Sequence, residues 1–299
     1  MAVGGVWIPV TLLASSAQTL RNAMQRDLIG ALGAVGAAQV RFLFGLPFAV
    51  MFLVGLLTAT GLHLPRLTAV NLAWTAFGAV SQVIATSLML AAMRTKSFVV
   101  AVAYTKTEAA QIALFGLIAL NDPPTAALVA AIALATIGVA LMAVRSRKEL
   151  MADWRSAALG VFSATFFAFA AVGFRSAVIG VDSPSQVLSA SVILVVGLAI
   201  QSAALGLYLA AFDRPGARAI VGAWRSSLFA GFMGALASQL WFVAFALSEA
   251  APVRTLALIE VPMAQVVSLK MFREPPSLRE GLGISLIVIA AGILVWTAR

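Results

Sequence analysis

The chain has no cysteine and a single histidine, His63. Disulfides and thiolate metal sites are therefore excluded. One loop imidazole makes neither a metal site nor a Ser-His-Asp set, so an enzyme is not expected. No glycine run ends in Gly-Lys-Ser/Thr, so nucleotide hydrolysis is not expected either. No metal and no cofactor is implied. Charge is the other shortage. Asp, Glu, Lys and Arg make up 10% of 299 residues, against 62% hydrophobic, where a soluble domain carries about 25% charged residues. No Lys or Arg precedes the first apolar stretch, and a signal peptide needs a basic start. Residues 1–24 therefore read as a retained first membrane span.

What the sequence does contain is apolar runs long enough to cross a bilayer as helices. They are continuous rather than alternating, which excludes a β-barrel. The expected class is an all-α, multi-pass integral membrane protein, of a bacterial inner or plasma membrane. Ten spans are expected at roughly 5–24, 33–58, 69–92, 98–119, 125–144, 157–177, 187–211, 227–247, 252–272 and 278–297. The connections are too short to hold a soluble domain. The formal net charge of +9 would suggest nucleic acid in a soluble protein. Here the basic residues are scattered through short loops, and the positive-inside rule accounts for them. No nucleic-acid partner is expected; the bilayer and a small solute are, with the chain as a monomer or homodimer.

Two stretches repeat. LNDPPT (120–125) and FREPPS (272–277) both read acid, Pro, Pro, hydroxyl after an apolar run. With Asp122 placed on Glu274, Glu108 falls on Glu260, and EAAQIALFGLIALNDPPT lies over EVPMAQVVSLKMFREPPS. TLRNA (19–23) likewise echoes GFRSA (173–177). The expected organisation is two five-helix repeats, 1–146 and 147–299, in one membrane body. Five is odd, so the second copy enters the bilayer from the opposite side, an inverted repeat of the kind that surrounds a midplane site in transporters. The Pro-Pro pairs separate the fourth span from the fifth and the ninth from the tenth, because proline cannot continue a helix.

Charges in mid-span are costly unless paired or facing water. Lys106 and Glu108 lie within the fourth span and Glu260 within the ninth. Lys106 and Glu108 point to different helix faces. Each of them therefore needs a partner on another element. If both glutamates are paired with cations, uniport is favoured over proton antiport. Tyr104 and Gln111 share a helix face with Glu108. Gln82, Gln239 and Trp241 mark the third and eighth spans, and Gln18, Ser15 and Ser16 the first. Trp241 and Trp74 offer aromatic faces for a cation. Pro262 is expected to break the ninth span near the site. Arg41 and Arg254 lie nearer span ends, where snorkelling is the default and a carboxylate clamp the functional alternative.

In these features the chain resembles the drug/metabolite transporter superfamily, EamA type. The resemblance rests on the two acidic turns, on Gly138 and Gly283/Gly292 in the helices that follow them, on Arg41 in AQVRFLFGLPFA, on Arg21, and on Glu108 and Glu260. It departs in helix 1, which reads LLASSAQTL, in Asp122 where a Glu is usual, and in Lys106. The resemblance places the third, fourth, eighth and ninth spans around a central cavity, and so implies a cross-helix pair, either Lys106 with Glu260 or Lys106 with a glutamate in the symmetry-related place of Glu108, one glutamate being left for substrate or a proton. It implies a secondary transporter, an exporter or exchanger moving a small amino-bearing or amphipathic metabolite by alternating access, with possible coupling to protons. The alternative is a membrane scaffold that kept the fold and lost transport.

Loop charge sets the expected orientation. Basic residues concentrate in the connections after spans 1, 3, 5, 7 and 9, among them Arg26, Arg94, Arg145, Arg214 and Lys270. Those connections should be cytoplasmic, which puts both termini outside; the resemblance implies both inside.

Overall fold

The computed structural model describes residues 5–94, 98–112, 125–143 and 154–297. Among these there is helix and no strand. The helices are α1 (Trp7–Thr60), α2 (Ala69–Ala92), α3 (Phe98–Thr105), α4 (Ala126–Ala143), α5 (Trp154–Ile179), α6 (Gln186–Phe212), α7 (Arg214–Gly222), α8 (Trp224–Leu247), α9 (Ala250–Leu256), α10 (Glu260–Val267) and α11 (Leu278–Thr297). A further helical turn covers residues 108–112. Among the described residues, six helical stretches are long and apolar enough to cross a membrane: α1, α2, α5, α6, α8 and Ala250–Phe272. The described residues are thus helical, with long apolar helices of the length and composition that suit a membrane.

The first connection differs from expectation. Residues 25–32 are not a loop but part of α1, which runs for 54 residues with one non-helical residue, Gly33 (φ 67°, ψ 173°). A straight helix of that length would measure about 81 Å, against a hydrocarbon core of about 30 Å. The chain instead folds back at Gly33. The Gln25 amide donates to the Ala37 carbonyl at 2.8 Å, two residues that a straight helix would hold about 18 Å apart. Gly33 can turn the chain because its positive φ carries no Cβ penalty. So α1 is two helical limbs joined by a tight reversal.

Helix ends follow local chemistry. Thr68 and Asn71 form a reciprocal capping box at the start of α2, and the Asn71 amide also reaches the Ala177 carbonyl of α5 at 3.4 Å. Gly61 closes α1 in the left-handed conformation, its N–H on the Leu57 carbonyl. The connection around Arg214–Arg218, expected as a polar loop, folds into α7, with the Asp213 side chain capping Gly216 at 3.0 Å.

The core is alanine-rich and tight, as expected where packing rather than water drives helix association. The main helix pairings are α1 with α8, α2 with α5, and α4 with α11. At the last of these, a methyl group added to Gly138 would sit 2.6 Å from the Gly283 carbonyl oxygen. Two glycines whose register followed the acidic turns therefore meet each other. The first turn itself, Asp122 with Pro123 and Pro124, lies outside the described residues, as do Arg145, Arg147 and Lys148.

The second acidic turn is described, and it is a clamp rather than a bare reversal. Arg26 of α1 makes two contacts to Glu274, at 2.7 and 3.3 Å. Ser268 Oγ donates to the same carboxylate at 2.7 Å and the Phe98 N–H at 3.3 Å. The Arg26 guanidinium lies 4.1 Å from the centre of the Phe272 ring. The segments after the first, third and ninth expected spans thus converge at one end. Burial alone would raise the Glu274 pKa, but the hydrogen bonds from Arg26 and Ser268 and the guanidinium charge hold it below the usual carboxylate range. At the other end the Arg175 guanidinium donates to the carbonyls of Phe245 and Ser248, the latter at 2.5 Å, which ties α5 to the end of α8.

Candidate functional site

Two helices break at equivalent places. The fourth span was expected as one continuous helix. Instead α3 closes at Thr105, a turn covers Lys106–Thr107, and the helix resumes at Glu108. Within the break the backbone tightens: Lys106 N–H bonds to the Ala103 carbonyl and Thr107 N–H to Tyr104. The hydroxyls of Thr105 and Thr107 take the Val102 and Tyr104 carbonyls at 2.7 and 3.0 Å, competing with the regular helix ladder. In the ninth span α9 ends at Leu256, a 3₁₀ turn covers Ala257–Ile259, and α10 opens at Glu260. Pro262 lacks the N–H that would have bonded the Leu258 carbonyl, which accounts for a break just before it. Glu108 and Glu260, which match in the sequence repeat, therefore each open the second half of a broken helix.

Around these breaks lie six charged side chains with almost no exposure. Arg21, Arg41, Lys106, Glu108, Arg254 and Glu260 are each at most 6% exposed. The expected pair is present. Lys106 Nζ donates to Glu260 Oε2 at 2.7 Å. Glu260 is also cradled by Gln18 of α1, whose amide nitrogen lies 2.9 Å from each carboxylate oxygen. The Trp241 indole donates to Gln18 Oε1 at 2.9 Å. Because the indole is a donor only, it fixes which end of the Gln18 amide faces Glu260. Thus α8, α1, the turn that follows α3, and α10 are joined by one chain of polar contacts.

The second glutamate is not left free. Arg254 Nε lies 3.0 Å from Glu108 Oε1, an ion pair whose N–H does not aim at the oxygen, since neither atom has a hydrogen-bond partner among the described residues. The Arg254 guanidinium also stacks over Trp241, 4.4 Å from its ring centre, and stands 5.1 Å from that of Phe245. The aromatic face expected for a ligand cation is occupied by a cation of the protein itself. Nor do Arg254 and Arg41 snorkel. Both are buried, at 5% and 1% exposure, because the helix breaks and close α1–α8 packing bring them to the interior rather than to a span end.

Arg41 donates to Thr86 Oγ1 and Ser238 Oγ, both at 3.2 Å. Arg21 donates to Asn22 Oδ1 through Nη2 at 2.7 Å and Nε at 3.2 Å. A methyl group on Gly234 would meet Arg41 Cγ at 3.0 Å and Arg21 Cδ at 3.4 Å, so both stems lie against one glycine of α8.

The remaining candidates divide. Tyr104 is buried and packs on Gly160 of α5. Gln111 is half-buried one turn beyond Glu108. Gln82 is engaged elsewhere, accepting from the Gln201 amide at 2.9 Å, and ties α2 to α6. Both amide atoms of Gln239 are buried without a hydrogen-bond partner among the described residues. Trp74 does not join the site: it is 39% exposed and meets Phe77 edge-on. Arg254 as a partner of Glu108, and Gln18 as the cradle of Glu260, were not foreseen. The sequence carried little signal for either, since Arg254 reads as a residue near a span end and Gln18 as one of several polar residues in the first span.

No protein-family model matches the chain, and no curated protein matches it. Among solved structures, one described only as "Crystal structure of protein" shares the fold. It superposes with a TM-score of 0.67 over 99% of this chain and 98% of its own, at 14% identity. That likeness extends to the whole chain but concerns the fold alone.

Proposed function

We propose that the chain is a secondary transporter, moving a small amino-bearing or amphipathic solute across a membrane by alternating access, in two inverted five-helix halves. The observation that carries this reading is the charged network at the two helix breaks. Broken helices and buried charges at mid-membrane depth mark solute pathways, because irregular backbone and unpaired charge survive there only where they face a cavity or each other. The helix pairings support the inverted halves. α2 packs on α5 and α6 as α8 packs on the two limbs of α1, while the broken spans pair with each other and α4 pairs with α11. The resemblance to EamA-type drug/metabolite transporters supports the same reading.

Both glutamates hold protein cations, Lys106 on Glu260 and Arg254 on Glu108. This favours solute uniport or exchange over proton antiport. The clamp at Arg26–Glu274 closes one end of the body, as a gate would in one state of an alternating cycle. A scaffold that kept the fold would carry the same pairs, and ligand dependence separates the two. Purified wild type and Glu260→Gln are screened for thermal stability against amino acids, polyamines, sugars and nucleotides. A solute that raises the midpoint of wild type and not of the variant supports transport through this site, since binding stabilises by mass action. A hit unaffected by Glu260→Gln would reduce Glu260 to a structural ion pair, and no hit would favour the scaffold.

A further inference from the structure

The buried network does not balance its own charge. Four cations (Arg21, Arg41, Lys106 and Arg254) face two carboxylates (Glu108 and Glu260), all nine-tenths or more buried. Both carboxylates are already engaged, by Lys106 and by Arg254. That leaves two guanidinium groups, Arg21 and Arg41, whose hydrogen-bond partners are neutral: the Asn22 amide oxygen for one, the Thr86 and Ser238 hydroxyls for the other. Among the described residues neither has a carboxylate at ion-pair distance. Each also keeps an N–H group that is buried and unpartnered, Nη1 of Arg21 and Nε of Arg41. Their stems share the Gly234 surface of α8; Arg41 is repelled by Arg21 and by Arg254, while Arg21 feels the attraction of Glu260, a carboxylate already held by Lys106, ahead of the repulsion of Arg254.

Two like charges in a desolvated interior repel and lose their hydration, and a protein tolerates this where an anion completes the set. Guanidinium groups present planar forks that match oxyanions better than any other side chain does. Lysine at this position would offer a point charge; arginine offers paired donors. The hydroxyls of Thr86 and Ser238 add rotatable donors within reach of Arg41.

We infer that Arg21 and Arg41 form the anion-binding half of the solute site, and that the transported solute carries an oxyanion group, a carboxylate or a phosphate, seated between them against Gly234. This rests on the transporter reading and narrows it. The solute is defined by its negative end, held by the two arginines. An amino group, where the solute has one, is secondary, because both acids that would receive it already hold cations of the chain.

The test is direct binding to the purified full chain in detergent. The probes are radiolabelled inorganic phosphate and radiolabelled succinate, each at constant ionic strength, with putrescine and choline as cationic competitors. Saturable binding of phosphate, of succinate or of both is expected, undiminished by the cations. Phosphate alone identifies a phosphate-bearing solute, and succinate alone a carboxylate. Affinity should fall at least about tenfold in Arg41→Met and in Arg21→Met, the loss of a charge-assisted contact, and fall less in Arg41→Lys. In the absence of probe, Arg41→Met should melt no lower than wild type, because it removes a repelled charge and keeps the stem against Gly234. If a methionine variant does not fold, Arg41→Lys and Arg21→Lys carry the test, each expected to weaken binding because the fork is lost. Absence of saturable binding for both probes overturns the proposal, and so does binding that survives in all the variants. Oxyanion binding without flux in liposomes would sink the transporter reading and leave this site standing. Flux of a cationic solute without oxyanion binding would do the reverse.

Discussion

Removing either end of the Lys106–Glu260 pair should destabilise the protein sharply, and removing both should destabilise it much less. The two groups are 2.7 Å apart with side-chain exposures of 5% and 1%, so water contributes almost nothing to either charge. Losing one partner of such a pair costs about 3–5 kcal/mol, because the other is left as an uncompensated buried charge. The two singles should not be equal. In Lys106→Met the carboxylate keeps both contacts from Gln18 and the field of Arg21, which places this variant near the lower end, about 3 kcal/mol. In Glu260→Gln Lys106 loses its ion-pair partner and Arg21 the attraction of that carboxylate, and the cost should approach the upper end, about 5 kcal/mol. The double variant removes the charge conflict, so the coupling between the sites should be at least about 2 kcal/mol. Reversible denaturation in mixed detergent micelles, run on wild type, both singles and the double, measures it. Costs that simply add, with a coupling below about 0.5 kcal/mol, would refute a direct pair and the reasoning built on it.

Other consequences follow from the same structure. Gly283→Val should disrupt the α4–α11 crossing, where the Cβ position is 2.5 Å from the Gly138 carbonyl oxygen, and cost about 1–3 kcal/mol or more as overpacking, read as a lowered melting midpoint. Arg254→Lys keeps a charge for Glu108 but gives up stacking on Trp241, and should cost about 0.5–2 kcal/mol; an unchanged midpoint would mean the stacking is energetically idle. The Glu274 carboxyl titrates below its ordinary value in the folded protein, so its stabilisation is present above the unfolded carboxylate pKa and is lost as pH falls through the lower folded value. The melting midpoint of wild type should therefore drop on acidification in that range, and Arg26→Gln should flatten the drop; parallel curves would contradict the clamp. A reporter active only in the cytoplasm, fused to the C-terminus, should stay silent if the loop charges set the orientation.

The class of protein was legible because it depends on composition. With 62% hydrophobic residues and 10% charged, the composition lies far from that of a soluble domain, and among the described residues the apolar stretches sit close to where the helices are. The first connection was not legible, because residues 25–32 contain good helix formers and nothing but Gly33 marks the reversal. That Lys106 needs an anion was legible, since a charge within an apolar run must be paired; that the anion is Glu260 was one of two pairings left open, and only the resemblance brought the two spans together. The partner of Glu108 was not legible. Arg254 looked like a residue near a span end, and its burial follows from the break at Ala257–Ile259, which shifts where depth is counted from. Gln18 was visible as a polar residue in the first span, but its bond to Trp241 depends on how α1 meets α8. Trp74 failed for the opposite reason: an aromatic in a span is as well suited to the lipid-facing side, and composition cannot tell the two faces apart. Arg21 was marked by the TLRNA–GFRSA echo and by resemblance, and its lack of an ion-pair partner among the described residues became visible only once the partners of the other buried charges were assigned.

The central claim, that the buried charged network serves solute translocation, is tested most directly by flux. The purified chain is reconstituted into liposomes preloaded with an unlabelled solute identified by binding, and entry of the labelled solute is followed by counterflow. The account predicts accumulation above empty liposomes for wild type, abolished in Glu260→Gln and in Arg41→Met while both variants remain folded. Entry no faster than into empty liposomes, or entry undiminished in both variants, would contradict it.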